Sequence, residues 1–357
     1  MPNNDEPRSK KTVFVLILAL SLLLLAEIGS RTIWVLLYDV PFFQPETIPL
    51  HRYYPQLYSN VSQEPIKKGD GFFDILLLGG SVLAQGKIKK LLLEKCASRT
   101  GKRVRVHNLA FCAHTSWDSL YKYQHLSDKN FDLILVYHGI NDARTNNCPP
   151  EFFKSDYSHY SWYSEIKLFE RHKEIGILTL PCSLDYLRYS LEKQLGLTRY
   201  LPRHNPIRKW TEYGKDVKTY LPFKHNLTQI VRIAQQKKEN LILMSFASYL
   251  PKGYTYRKFI RKAIDYGFKG NPSCPAELWG KPKFVAKAIS KHNTAIKETV
   301  THFNFVRFVD QKKLIPRSGL YFKDICHLTP RGCRKFVDNL LPVIVKLAGN
   351  RDLRAKR

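Results

Sequence analysis

The chain has 357 residues, enough for one large α/β domain with insertions or for two small domains. It is 44% hydrophobic, 13% aromatic and 25% charged, so it can bury a substantial core under a water-facing surface; disorder throughout is excluded, and a single long apolar run excludes a polytopic membrane protein. The 58 Lys and Arg against 30 Asp and Glu leave a formal charge of +28, which suits a phospholipid leaflet, an acidic polysaccharide or nucleic acid; with no basic recognition helix, zinc spacing or aromatic RNP motif, no nucleic-acid partner is expected.

Residues 1–11 read as a cytoplasmic tail, and Thr12 to Ala26 carry no charge after Arg8, Lys10 and Lys11, as a signal anchor begins. A helix needs about 20 residues to cross the hydrocarbon, so this run of fifteen either recruits Glu27 to Tyr38, where Trp34 and Tyr38 suit an interface, or belongs to a signal peptide. Cleavage after Ala26 or Ser30 would put Leu24 or Ile28 at position −3, unlike A-x-A. The reading is therefore an uncleaved, single-pass transmembrane anchor over 12–38, with the rest of the chain extracytoplasmic, in the periplasm or at the cell surface.

A polar stretch, 39–71, reads as a linker. Five short apolar runs follow: Phe73–Leu78, Val104–Leu109, Phe131–Tyr137, Leu241–Ser245 and Phe305–Val309. Several are almost continuously apolar, as in strands covered on both faces, and helical stripes such as Leu227, Ile230, Val231 and Ala234 lie between them. Strand and helix alternate, which predicts a parallel five-stranded sheet between two helical layers, a three-layer αβα fold.

Ligands of such sheets bind beyond the carboxyl ends of the strands. There the sequence places Gly79-Gly80-Ser81, Ala110-Phe111-Cys112, Gly139-Ile140-Asn141-Asp142 and, well after the fifth run, Asp324-Ile325-Cys326-His327. Ser81 follows two glycines that allow a sharp strand-to-helix turn, and the new helix points free N–H groups at developing negative charge. A hydroxyl is a weak nucleophile without a base; His327 can take its proton, and Asp324, three residues earlier and about one helical turn away, can hold the imidazole tautomer. The Asn141 amide with the backbone N–H groups of Ser81 and Ala110 would form an oxyanion hole, and Thr329-Pro330 reads as the cap and first residue of the last helix. Taken singly, Ser81 is a helix cap, Gly-x-Asn-Asp a turn and Asp-x-x-His a common tetrapeptide; together, in this order and at strand ends, they point to acyl transfer. His107, His114, His138 and Cys326 read as structural.

Those four blocks, with Asn108-Leu109-Ala110 in the second, resemble the SGNH (GDSL-type) hydrolase family, over about residues 72–347. The resemblance implies a flavodoxin-like fold, a Ser81 nucleophile, the Asp324–His327 pair, and an oxyanion hole of Ser81, Asn141 and a second-block glycine. Two positions depart from the family pattern: Gly80 stands where the family name has Asp, and Ala110 where the second block has Gly. The arrangement with an amino-terminal anchor is similar to bacterial membrane-attached members acting on acylated carbohydrate.

No cofactor is implied: Gly86-Lys87 is followed by Ile88, so there is no P-loop, and no G-x-G-x-x-G follows the first strand. Nor is a metal expected, because Cys326, His327 and Cys333 lack a fourth ligand at finger spacing. Of the seven cysteines, Cys148 and Cys182 are candidates for a disulfide. Asn60-Val61-Ser62 and Asn226-Leu227-Thr228 match the glycosylation pattern. The insertion 144–224 reads as a helical cap; residues 151–223 hold 14 aromatics, which either pack the cap or line a groove for sugars or acyl chains. A basic segment, 251–283, is expected to complete the cleft, and a basic tail, 348–357, ends the chain. The function expected is a serine esterase removing O-acyl, chiefly O-acetyl, groups from carbohydrate or another envelope ester. The alternatives are an O-acyltransferase and a silent scaffold that binds an envelope polymer.

Overall fold

The computed structural model describes residues 6–61, 66–197, 201, 206–268 and 273–354. The outermost residues of both expected tails and Ser62 of the first glycosylation triplet lie outside them. The described chain forms two compact units, Met1–Pro55 with Ser161–Tyr200, and Gln56–Tyr160 with Leu201–Arg357.

The larger unit holds a five-stranded parallel sheet of β1 (Phe72–Gly79), β2 (Arg103–Asn108), β3 (Leu133–Tyr137), β4 (Asn240–Met244) and β5 (Arg307–Val309), in the order β2-β1-β3-β4-β5. That is the flavodoxin-like order, which reverses direction between β1 and β3. Ile75 is in register with Val106 on one side and Leu133 on the other, and every residue of β3 is buried. Phe73, Ile75, Leu77, Leu133, Leu135, Ile242 and Met244 share a core with Ile88 and Leu92 of helix Gly86–Thr100 and Phe336 and Leu340 of helix Pro330–Arg354. Helices Ser116–Gln124, Tyr220–Gln236 and Pro282–Thr301 form the other layer, the second burying the Leu227, Ile230, Val231 and Ala234 stripe. Burial on both faces is why the strands read as unbroken apolar runs. β3 begins two residues later than expected; just before it the Asp132 carboxylate accepts the Asp74 N–H at 2.7 Å while the Asp132 N–H donates to the Asp74 carbonyl at 2.9 Å.

The smaller unit contains the helices Glu6–Tyr38, Ile48–Tyr53, Ser161–Arg171 and Leu180–Gln194. Lys10–Tyr38 is long and apolar enough to cross a membrane. The stretch read as a linker instead carries helical turns at Pro45–Thr47, Ile48–Tyr53 and Gln56–Asn60, because Ile48, Tyr53, Tyr54 and Leu57 are apolar enough to be buried. The insertion is helical but divides: 161–200 belongs to the smaller unit, its flanks to the larger. Tyr157, Tyr160, Tyr163, Phe169 and Tyr189 are buried and pack their own units. The expected Cys148–Cys182 disulfide is absent; each is a buried free thiol, Cys148 within the larger unit and Cys182 within the smaller.

Candidate active site

β1 ends at Gly79, Gly80 continues extended, and Ser81 opens a short helix, Ser81–Ala84. The backbone passes its neighbours too closely for side chains here. A Cβ on Gly79 would lie 2.9 Å from the Tyr137 carbonyl oxygen, and one on Gly80 would lie 2.6 Å from Asn141 Nδ2. Gly80 rather than Ser81 occupies the helix cap, so the serine hydroxyl is not spent on capping; it meets His327 Nε2 at 2.7 Å.

His327 is 9% exposed, and its Nδ1 lies 2.7 Å from Asp324 Oδ2. The two are joined through a bend and not the expected helical turn: Asp324 Oδ1 accepts the N–H groups of Cys326 and His327 at 2.9 and 2.8 Å. Asp324 Oδ2 also accepts the Cys274 N–H at 2.9 Å. Burial alone would push the Asp324 carboxyl up, but the bond to His327 and the surrounding N–H donors outweigh it and hold the group below the usual carboxylate range. Thr329 caps the last helix as expected, its hydroxyl accepting the Gly332 N–H at 3.1 Å.

Asn141 sits in the turn of helix after β3, beside Gly80. Its Nδ2 donates to the His114 carbonyl at 2.9 Å and its Oδ1 accepts the indole N–H of Trp279 at 2.9 Å. The second expected oxyanion donor is engaged elsewhere: the Ala110 N–H donates to Asn108 Oδ1 at 3.0 Å, and Asn108 Nδ2 is tied to the Leu83 carbonyl at 2.9 Å. A recess of about 10 Å³, room for one water or methyl group, lies among Ser81, Asn141, Gly139 and Phe246. Ser81, Asn141, Asp324 and His327 all lie after strands of one sheet, Ser81 and Asn141 flanking the point where strand order reverses.

Sequence reasoning missed Trp279. It comes from the 251–283 segment, is 2% exposed, and stands with its ring centroid 6.2 Å from that of His327. Its neighbours Glu277 and Lys281 border a cavity of about 600 Å³ with Arg208, Thr211 and Tyr256. The sequence signal was a lone tryptophan in a basic, irregular stretch.

Asp142 is buried and accepts the Ser116 N–H and hydroxyl and the Tyr157 hydroxyl; burial pushes it up to about 7 despite these bonds. His138 bonds Ser119 Oγ, His107 pairs with Asp74, and His114 lies against Lys122, each inside the fold. Cys326 is buried with its sulfur 3.6 Å from His327 Nδ1. Among the described residues, Cys274, Asp324 and His327 are a group of metal-ligating type, their ligand atoms within 4.8 Å of one another. Cys333 is not part of it. Asp324 and His327 already spend those atoms on each other.

No protein-family model matches the chain, and no curated protein matches it. Among solved structures it is similar to a GDSL-like lipase from Bacteroides thetaiotaomicron, at 13% identity over 83% of this chain and 98% of that one, with a TM-score of 0.44. It is also similar to a lipase/acylhydrolase from Enterococcus faecalis, at 13% identity over 76% and 95%, TM-score 0.38. A third is the acetylxylan esterase Axe2 from Geobacillus stearothermophilus, at 12% identity over 76% and 93%, TM-score 0.40.

Proposed function

We propose that the chain is a serine ester hydrolase of the SGNH type, anchored to a membrane by its amino-terminal helix with the larger unit outside the cytoplasm. The unbroken hydrogen-bond chain from Ser81 Oγ through His327 to Asp324, at 2.7 Å for each link, carries this reading. Ser81 Oγ attacks the ester carbonyl as His327 Nε2 takes its proton, and Asp324 stabilises the imidazolium. The oxyanion is held by the Asn141 amide and the Ser81 N–H, which has no intrahelical acceptor at the first position of its helix. His327 then gives its proton to the leaving alcohol. Water, deprotonated by the same imidazole, releases the acid and restores Ser81.

The methyl-sized recess beside Ser81 favours a short acyl group such as acetyl. The cavity bordered by Arg208, Tyr256, Glu277 and Lys281 offers the mixture of charge and aromatic surface that suits a polyhydroxylated carbohydrate. Transfer to a sugar hydroxyl uses the same acyl-Ser81 intermediate and differs only in the acceptor.

Full-length protein incubated with a fluorophosphonate should be modified on the peptide containing Ser81 and should hydrolyse a chromogenic acetyl ester, both lost in Ser81→Ala. Equal hydrolysis by the two proteins rejects the enzyme reading and leaves the silent scaffold. Acetylated oligosaccharide formed from an acetyl donor would make the activity a transfer.

A further inference from the structure

The apolar stretch Thr12–Ala26 gives about 22 Å of helix at 1.5 Å per residue, against a hydrocarbon thickness of about 30 Å. With Lys10 and Lys11 at the inner boundary, the missing distance takes about five more residues and carries the span to Arg31. Glu27 and Arg31 therefore fall inside the outer leaflet, Glu27 about 6 Å below its boundary. Charged groups at that depth need partners.

Their partners are each other and backbone groups, most of them in one loop. Glu27 is paired with Arg31 at 2.7 Å, and its carboxylate accepts the N–H groups of Thr179 and Leu180, each at 2.8 Å. Arg31 donates to the carbonyls of Ile177 and Phe42 at 2.7 and 3.1 Å. The Ile177 and Leu178 N–H groups both bond the Glu174 carbonyl at 2.8 Å, and Pro181 has none. From 177 to 181 every backbone N–H is thus bonded within the protein and the Ile177 carbonyl is held by Arg31, which lowers the cost of bringing this turn to the edge of the hydrocarbon beside the anchor.

The side chains of the same segment face outward and are apolar. Ile177 is 79% exposed, and Leu178, Leu184, Leu187 and Leu191 are exposed on and before the helix Leu180–Gln194. The helix runs in the same direction as the anchor, with Ser183 bonded to Ser30 and Trp34 and Tyr186 packed on Trp34, so its amino end is the end level with Glu27. Higher up, the Arg52 guanidinium sits over the rings of Tyr38 and Tyr186, a polar and aromatic cluster of the kind found at a membrane surface.

We propose that Ile177–Ser183 is a second membrane-embedded element, a wedge whose tip, Ile177 and Leu178, enters the acyl chains of the outer leaflet beside the anchor. The partner is the lipid itself. The Glu27–Arg31 pair is retained within the span because it satisfies the loop that dips there. This inference rests on the anchor reading given above.

Full-length protein in vesicles of phosphatidylcholine and phosphatidylglycerol tests it. An NBD fluorophore is placed at Ile177→Cys, Leu20→Cys or Leu320→Cys, with labelled unsubstituted protein as the blank for native thiols. Quenching by lipids bearing a nitroxide on the acyl chain, shallow or deep, is compared. The shallow nitroxide should quench the 177 probe at least about twofold more than the 320 probe, and the deep nitroxide should quench the 20 probe. A 177 probe no more quenched than 320, with 20 quenched, overturns the wedge and keeps the anchor. If 20 also escapes quenching, both fall. A 177 probe shielded from lipid nitroxides only at high protein density would mean that a second copy covers the surface, which also overturns the proposal.

Discussion

The indole N–H of Trp279 donates to Asn141 Oδ1 at 2.9 Å, and this bond sets which way round the Asn141 amide lies. With the oxygen held by Trp279 and one N–H held by the His114 carbonyl, the second N–H of Nδ2 is left for an oxyanion. Trp279→Phe keeps most of the packing and removes the donor. It should lower kcat on an acetyl ester about tenfold with little change in KM, while Asn141→Ala should cost about 10²- to 10³-fold. Steady-state kinetics beside a thermal melt separate this from unfolding; an unchanged kcat in Trp279→Phe would show that the indole does not position the amide.

Gly80 is the second control on the same amide. A methyl group there would meet Asn141 Nδ2 at 2.6 Å, closer than real Cβ contacts allow, so the asparagine must move. Gly80→Ala should reduce hydrolysis at least about tenfold through the displaced donor. Ser81 and His327 stay in place, so fluorophosphonate should still reach the peptide containing Ser81. Loss of labelling together with activity would instead mean that the nucleophile turn has collapsed.

The sheet was readable because burial on both faces leaves strands as apolar runs, and three of the four blocks proposed for the site stood out because each lies within a few residues of a strand end, whereas the Asp324–His327 block lies well beyond β5. Asp324 and His327 needed only their spacing, although a bend and not a helix joins them. Trp279 was not readable: nothing local in Glu277-Leu278-Trp279 shows that its N–H reaches a residue more than a hundred positions earlier. The bond from the Ala110 N–H to Asn108 Oδ1 was not readable, because this acceptor is a side chain two residues away whose reach spacing does not reveal. The alliance of 161–200 with the amino-terminal segment depends on long-range partners such as Glu27 with Thr179, which have no local pattern.

Asp324→Asn tests the tautomer control of His327. The amide keeps one oxygen for the Cys326 and His327 N–H groups, so the bend should survive, but it offers a donor where His327 Nδ1–H requires an acceptor. On the proposed mechanism the rate should fall by about 10³- to 10⁴-fold, the scale of losing this charge from a Ser-His-Asp triad, with some loss of stability because the substituted group is buried. Ester hydrolysis across pH, followed with near-ultraviolet circular dichroism, checks it; wild-type rates would remove Asp324 from the mechanism.

Acid should unfold the larger unit through its buried histidines. Burial, with the Lys122 charge, lowers His138 to about 3, and burial lowers His159 and His292 to about 4 each. His292 is satisfied as a neutral ring, Nδ1–H donating to the Gly139 carbonyl at 2.7 Å and Nε2 accepting from Thr219 Oγ1 at 2.8 Å. Because these folded values lie below the ordinary histidine value of 6.5, their stabilisation is complete above it and is lost as pH falls from there towards 4. Asp142 has the opposite sign: raised to about 7, it stabilises increasingly as pH falls through 7 and offsets part of the loss. Three histidines against one carboxyl leave a net loss on the order of a few kcal/mol between pH 7.5 and 4.5. Thermal melts at those two values should show a lower Tm at 4.5, and His292→Asn, less stable at neutral pH, should show a smaller difference between them. A Tm that holds or rises on acidification would mean that Asp142 outweighs the histidines. The Gly139 carbonyl that His292 holds lies two residues before Asn141, so hydrolysis should fail in the same pH range as the fold loosens.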